Sequence, residues 1–169
     1  MTGRFFKTYI VDALSYMAMG LFCSLIVGTI IAQIATIPHL EMLNDIADIL
    51  KQPAVVGGSI GLAIAYGFKR APLVTISAVA VGALGYIWGG PVGAYLAAVV
   101  GIECGSLVSK RTPVDIIVTP MVSIIPSGLF AKFCCVPINE WIMSLGDVIN
   151  NATTLNPFIM GVVVAVLVG

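Results

Sequence analysis

A carboxylate stands by itself in the apolar run VVGIECGSLV: no other Asp, Glu, Lys or Arg lies between Arg70 and Lys110 except Glu103. Charge is costly inside lipid, so a membrane carboxylate faces a partner, a cavity or a transport path. Two chemistries fit Glu103. It binds solute or couples protons, or it forms an ion pair with Lys110 or Arg111 at the interface. A second group, Asn150, Asn151, Thr153, Thr154 and Asn156, is uncharged and rich in donors and acceptors. Such side chains suit a polyhydroxylated solute, and equally an external loop. Lys132 follows Pro120 and Pro126, and either lines a cavity or snorkels to the interface. His39 reads as a solvated interfacial residue and Asp12 as the inner boundary of the first helix.

Nothing in the chain has the spacing of a catalytic or metal-binding set. Cys23, Cys104, Cys134 and Cys135 form no CxxC pair, and there is one His; the cysteines read as buried, inert thiols. The glycine-rich VVGGSIG lacks the lysine of a phosphate-binding loop. Asn151-Ala152-Thr153 matches a glycosylation acceptor only at the level of three residues. A net charge of zero gives no electrostatic handle for nucleic acid. The expectation is therefore a protein that is no enzyme, with no cofactor and no metal.

The elements that must position these residues are membrane helices. Charged residues make up 9% of the chain and apolar ones 59%, against roughly a quarter charged in soluble domains. Ala13–Leu40, Gln52–Phe68, Ala71–Ile102 and Val148–Gly169 carry no Asp or Lys, and Glu and Arg are equally missing from them. A helix crosses the hydrocarbon core with about 20 apolar residues. Continuous runs such as VVVAVLV lack the alternation of a lipid-facing barrel. The fold class is all-α: a polytopic helical membrane protein of about six segments, some short or broken, with a possible re-entrant region. Spans are expected near 13–37, 53–68, 71–88 and 92–109, with Gly89-Gly90-Pro91 as a tight turn. HLEMLNDIADILK (39–51) reads as a short amphipathic helix at the interface. The segment 115–136 is expected to be broken by Pro120 and Pro126.

Charge then orients the bundle. With a cytoplasmic N-terminus, Arg4, Lys7, Lys69, Arg70, Lys110 and Arg111 all fall on the inner side, as the positive-inside rule asks. The last apolar run, 158–169, is too short to cross about 30 Å at 1.5 Å per residue. The chain, 1–169, is accordingly read as a single transmembrane domain, the N-terminal half of a longer transporter-like protein.

The runs GGPVGAYLAAVVGIECGSLVSKRTPVDIIVTPMVSIIPSG and TTLNPFIMG resemble a bacterial family related to the type C, sugar-permease component of the phosphotransferase system, which includes perfringolysin-regulator-like proteins. The resemblance rests on Gly89–Gly93, Glu103, Lys110, the Val114–Pro120 stretch and Thr153–Gly161. It adds Thr119 to Glu103 and the Asn150–Asn156 group as substrate-binding candidates. It implies a multi-pass protein of the bacterial cytoplasmic membrane that translocates a small polar, sugar-like solute. The implied partners are the lipid bilayer, the solute, a second copy or second half, and cytoplasmic phosphotransferase components that do any phosphorylation. The rival readings are a membrane-bound sensor or regulator without transport, and an ion channel or proton-coupled transporter.

Overall fold

The computed structural model describes residues 7–37, 42–111 and 114–155, all helices and short links. The first helix, α1 (7–34), is one run in which α-helical Ala13–Leu21 and Val27–Ile34 alternate with wide π-type turns at Lys7–Asp12 and Phe22–Ile26. Then come α2 (Met42–Leu50), α3 (Pro53–Gly67), α4 (Pro72–Val108) and α5 (115–155). Pro53 and Pro72 open their helices at the first turn, where a missing N–H costs nothing. Among the described residues, three helices are long and apolar enough to cross a membrane, within Tyr9–Ile34, Pro72–Val108 and Asp115–Ser144. α2 and α3, bent by 54°, make a fourth if they are one broken span. About six segments are thus not confirmed, and the run 158–169 lies outside the described residues.

α4 is folded back on itself. Gly90, at φ 60 and ψ −157, leaves helical geometry, and positive φ is open to Gly at little cost. With Pro91 beside it, the turn read from Gly89-Gly90-Pro91 is the one that forms. The two arms, 72–89 and 91–108, each rise about 27 Å, close to one bilayer core. They return against each other: a Cβ on Gly85 would lie 2.6 Å from the Gly93 carbonyl oxygen and 2.7 Å from the Ala97 Cβ. One on Gly101 would lie 2.8 Å from Val81 Cγ1.

Small residues set every other neighbour pair as well. In α3, Gly57 and Gly61 sit where any Cβ would overlap the carbonyl oxygens of Gly82 and Ala78 in the first arm. This is the close backbone approach that small-xxx-small spacing permits where the solvent supplies no hydrophobic drive. α1 runs antiparallel to α3: Gly20 rests on Ile60, and the Ser59 hydroxyl donates to Ser24 Oγ at 2.9 Å. α5 lies antiparallel to the second arm, with Ser123 over Gly105 and Cys135 over Gly93. The interior is Val56, Ile60, Ile64, Val74 and Ile102 among alanines. The outside is apolar too: Phe22, Ile76, Leu107, Ile116 and Phe133 are each more than half exposed. Such a surface belongs in lipid.

Two sequence expectations change in detail. Pro120 and Pro126 lie inside a continuous helix, Asp115–Phe130. Each removes one main-chain donor, which membrane helices accommodate through neighbours and local widening. The irregular stretch is instead the π-type turn Ala131–Cys135. The amphipathic segment forms as α2, beginning at Met42, with Ala47 buried against α1 near Gly28. His39 lies outside the described residues.

Candidate functional site

The antiparallel pairings collect the start of α1, the α3–α4 link and the α4–α5 link at one end of the bundle. Lys69, Arg70, Lys110 and Arg111 therefore share that end, as charge patterning anticipated. Asp45 and Asp48 fall at the other, where α2 meets α1 near Gly28. Both basic links turn on a lysine with left-handed backbone: φ is 52 at Lys69 and 65 at Lys110. At Lys69 the helix end closes with its N–H on the Tyr66 oxygen at 3.0 Å and the Arg70 N–H on the Ala65 oxygen at 3.4 Å. This is the paired-bond cap that finishes many helices, with lysine where glycine is usual. The cap aims Arg70 back over the bundle end.

There it meets Glu103. The Arg70 Nη2 donates to Glu103 Oε1 in an ion pair, and the Tyr9 hydroxyl donates to the same oxygen at 2.8 Å. Tyr95, two turns earlier on the second arm of α4, donates its hydroxyl to the Tyr9 carbonyl oxygen. Phe68 completes the group: its ring meets Tyr9 edge-on at 5.5 Å, and the Arg70 guanidinium stands 5.9 Å from it. Glu103 and Arg70 side chains are 36% and 30% exposed, so the pair is half-sheltered. Three elements (α1, the α3–α4 link and the second arm of α4) are tied through one carboxylate oxygen.

The partner differs from the two that sequence proximity offered. Lys110 and Arg111 lie seven and eight residues along, beyond the helix end, and neither pairs with Glu103. Arg70 reaches it because the hairpin brings the α3–α4 link alongside. The signal was present, since Arg70 belongs to the same basic side. Tyr9 and Tyr95 carried no sequence signal beyond being aromatic residues in apolar runs.

Thr119 is buried, and its hydroxyl donates to Asp115, whose other oxygen accepts the Lys110 N–H at 3.1 Å. It fastens the α4–α5 link. Glu103 lies two residues from both Gly101 and Gly105, which face α5; at 3.6 residues per turn it points to the opposite side of its helix. The structure does not bring Glu103 and Thr119 together. Asn150, Asn151, Thr153 and Thr154 lie in the last helical stretch of α5, separated from Thr119 by about 46 Å of helical rise at Asn150. Asn156 is outside the described residues. Lys132 is exposed within the π-type turn.

Chemically, the cluster holds a carboxylate whose charge is matched by a guanidinium and a phenol. It has no nucleophile set beside a base. Among the described residues no three His, Cys, Asp or Glu side chains are placed to hold a metal ion. What the arrangement can do is keep a polar, exchangeable bond network at the end of an apolar bundle.

A family model described as "Phosphotransferase system, EIIC" matches residues 11–169. Comparison with curated proteins and with solved structures gives no match. The matched region takes in α1 from residue 11 onward, all of α2 to α5, the glycine hairpin, Arg70 and Glu103, while Tyr9 lies just before it. The chain thus belongs to the phosphotransferase system EIIC family, as a membrane-embedded permease component related to that system.

Proposed function

We propose that the protein translocates a small polar, sugar-like solute across the bacterial cytoplasmic membrane, with its N-terminus in the cytoplasm. The observation that carries this is the Glu103–Arg70–Tyr9 network. Ionisable side chains within membrane helices are rare and commonly mark solute or ion pathways, and this pair joins helices that small residues already hold. A solute hydroxyl can replace the Tyr9 hydroxyl on Glu103 Oε1, since both are single O–H donors. That exchange would free α1 from the second arm of α4 and open the basic end. Asn150, Asn151, Thr153, Thr154 and Asn156 would supply uncharged hydrogen bonds to the solute, with Thr119 fixing the α4–α5 link. The chain is proposed to be the N-terminal half of a longer permease, working as a homodimer or with a second half. Cytoplasmic phosphotransferase components would phosphorylate the solute.

The test is uptake by the protein reconstituted in vesicles, across a panel of labelled sugars and polyols. Saturable uptake that Glu103→Gln abolishes supports the reading. Conductance without saturation would make it a channel. Ligand-induced thermal stabilisation with silent transport would make it a sensor.

A further inference from the structure

Two cavities meet at Tyr66 on the outside of α3. The first, about 420 Å³, is lined by Tyr16, Tyr66, Gly67, Lys69, Arg70 and Thr75. The second, about 360 Å³, is an apolar groove between α1 and α3 that includes Met19, Cys23, Leu62, Ala63 and Tyr66. A further groove continues it through Ser59 and Leu62 to Ala54 and Val55. From Ala54 to Tyr66 the apolar trough is about 18 Å long at 1.5 Å per residue. One leaflet of hydrocarbon is about 15 Å, half of the roughly 30 Å core. The trough is the length of a lipid chain, and it ends on a basic chamber.

The chamber has a surplus of positive charge. Arg70 is matched by Glu103, but Lys69 makes no ion pair among the described residues. The Arg70 Nε is buried and has no hydrogen-bond partner, leaving a donor that no protein group uses. Tyr16 and Tyr66 add phenol hydroxyls, and Thr75 a third hydroxyl. The wall between Tyr16 and α3 exists because residue 67 is glycine: a Cβ there would run into the Tyr16 ring. At 420 Å³ the chamber is the size of a small-molecule site and far larger than a bare ion needs.

We propose that this is a binding site for an anionic phospholipid. Its phosphate sits beside Lys69 in the chamber that Tyr16, Tyr66, Arg70 and Thr75 also line, and one acyl chain lies in the groove from Tyr66 toward Ala54. Basic residues at the cytoplasmic boundary recognise anionic headgroups in this way. The bound lipid would lean on Arg70 from the side opposite Glu103, and so bear on the network at the bundle end. The site stands on its own cavities and charges, independently of whether the protein carries a solute.

The experiment is native mass spectrometry of the delipidated protein, titrated with phosphatidylglycerol and with phosphatidylcholine, and competed with glycerol 3-phosphate. The expected result is a preference for phosphatidylglycerol of about five-fold or more, the worth of one basic residue at an anionic surface. Lys69→Gln should bring the two lipids level, Lys69→Arg should keep the preference, and Lys51→Gln at the opposite end should not change it. Ala63→Phe, which fills the groove, should weaken retention of both lipids. Equal retention by the native protein, or an equal loss in Lys51→Gln, would overturn the proposal. So would full competition by glycerol 3-phosphate combined with no effect of Ala63→Phe, which would mark a soluble-anion site instead.

Discussion

Glu103→Gln keeps the size of the side chain and an acceptor oxygen while removing its charge. In the native structure that charge faces Arg70, and one oxygen also accepts the Tyr9 hydroxyl. An exposed ion pair contributes about 0–1 kcal/mol, and breaking a fully buried one costs about 3–5 kcal/mol. With the two side chains 30% and 36% exposed, the cost falls between, at about 1–3 kcal/mol. For a chain of this size each kcal/mol moves the melting temperature by about 2–4 °C, so Glu103→Gln should melt several degrees lower. Arg70→Gln should cost at least as much, because it leaves a carboxylate without its cation. The double variant should cost less than the sum of the two, since the pair is broken once. The assay is thermal unfolding of the purified protein followed by tryptophan fluorescence, run beside vesicle uptake. If both single variants melt with the native protein and their effects simply add, the pair holds nothing together. If uptake is also unchanged, Glu103 has no part in function.

The glycine contacts separate two outcomes: Gly61→Ala should lose about 1–3 kcal/mol by forcing α3 off the Ala78 carbonyl. Gly128→Ala should be neutral or gain about 0.5–1 kcal/mol, because its nearest neighbour would be Leu84 Cδ1 at 3.8 Å; equal melting of the two variants would contradict the packing. Lys110→Gly should stabilise by about 0.5–1 kcal/mol in chemical denaturation, since φ 65 strains any residue with a Cβ, and a loss would mean the lysine side chain matters more than the backbone. With the four native cysteines replaced, Asn44→Cys should label from outside the cell and Arg111→Cys only from inside. The reverse pattern would invert the proposed topology.

Much of this fold is written in local chemistry. Gly89-Gly90-Pro91 reads as a turn because one residue there must take positive φ and the next cannot continue a ladder. Pro53 and Pro72 mark helix starts for the same reason. The basic pairs at 69–70 and 110–111 read as one side because lipid leaves charges only at its boundaries. What was not legible is which faces meet. Pro120 and Pro126 suggested a break, yet the helix runs on; a missing N–H says nothing of the neighbours that make it tolerable. Glu103 was visible as costly, but its partner depends on a hairpin that places residue 70 beside residue 103. No spacing rule reaches across thirty-three positions. Thr119 and Asn150 show a different gap: the helical run that carries both is continuous, so about 46 Å of rise separates them.

The small residues also decide how a further protein segment could join this bundle. Gly57, Gly61, Gly82, Gly85, Gly93, Gly101 and Gly105 are natural seams for helix association, and the sequence alone leaves open whether they face a second copy. In the structure all seven are spent inside, each pressed against a neighbour of the same chain. The faces turned outward carry Phe22, Ile30, Ile76, Ile87, Leu107 and Ile116 instead. Bulky faces keep helix axes apart and make few backbone contacts, so they pack against lipid nearly as well as against protein. A second copy or second half would therefore have to gain its specificity from polar groups. The charged ones named above lie toward the ends of the bundle, with Glu103 and Arg70 at one and Asp45 and Asp48 at the other. Association and the opening of the charged network are thus expected to be coupled: whatever docks at the basic end competes for the contacts that hold α1 to α4.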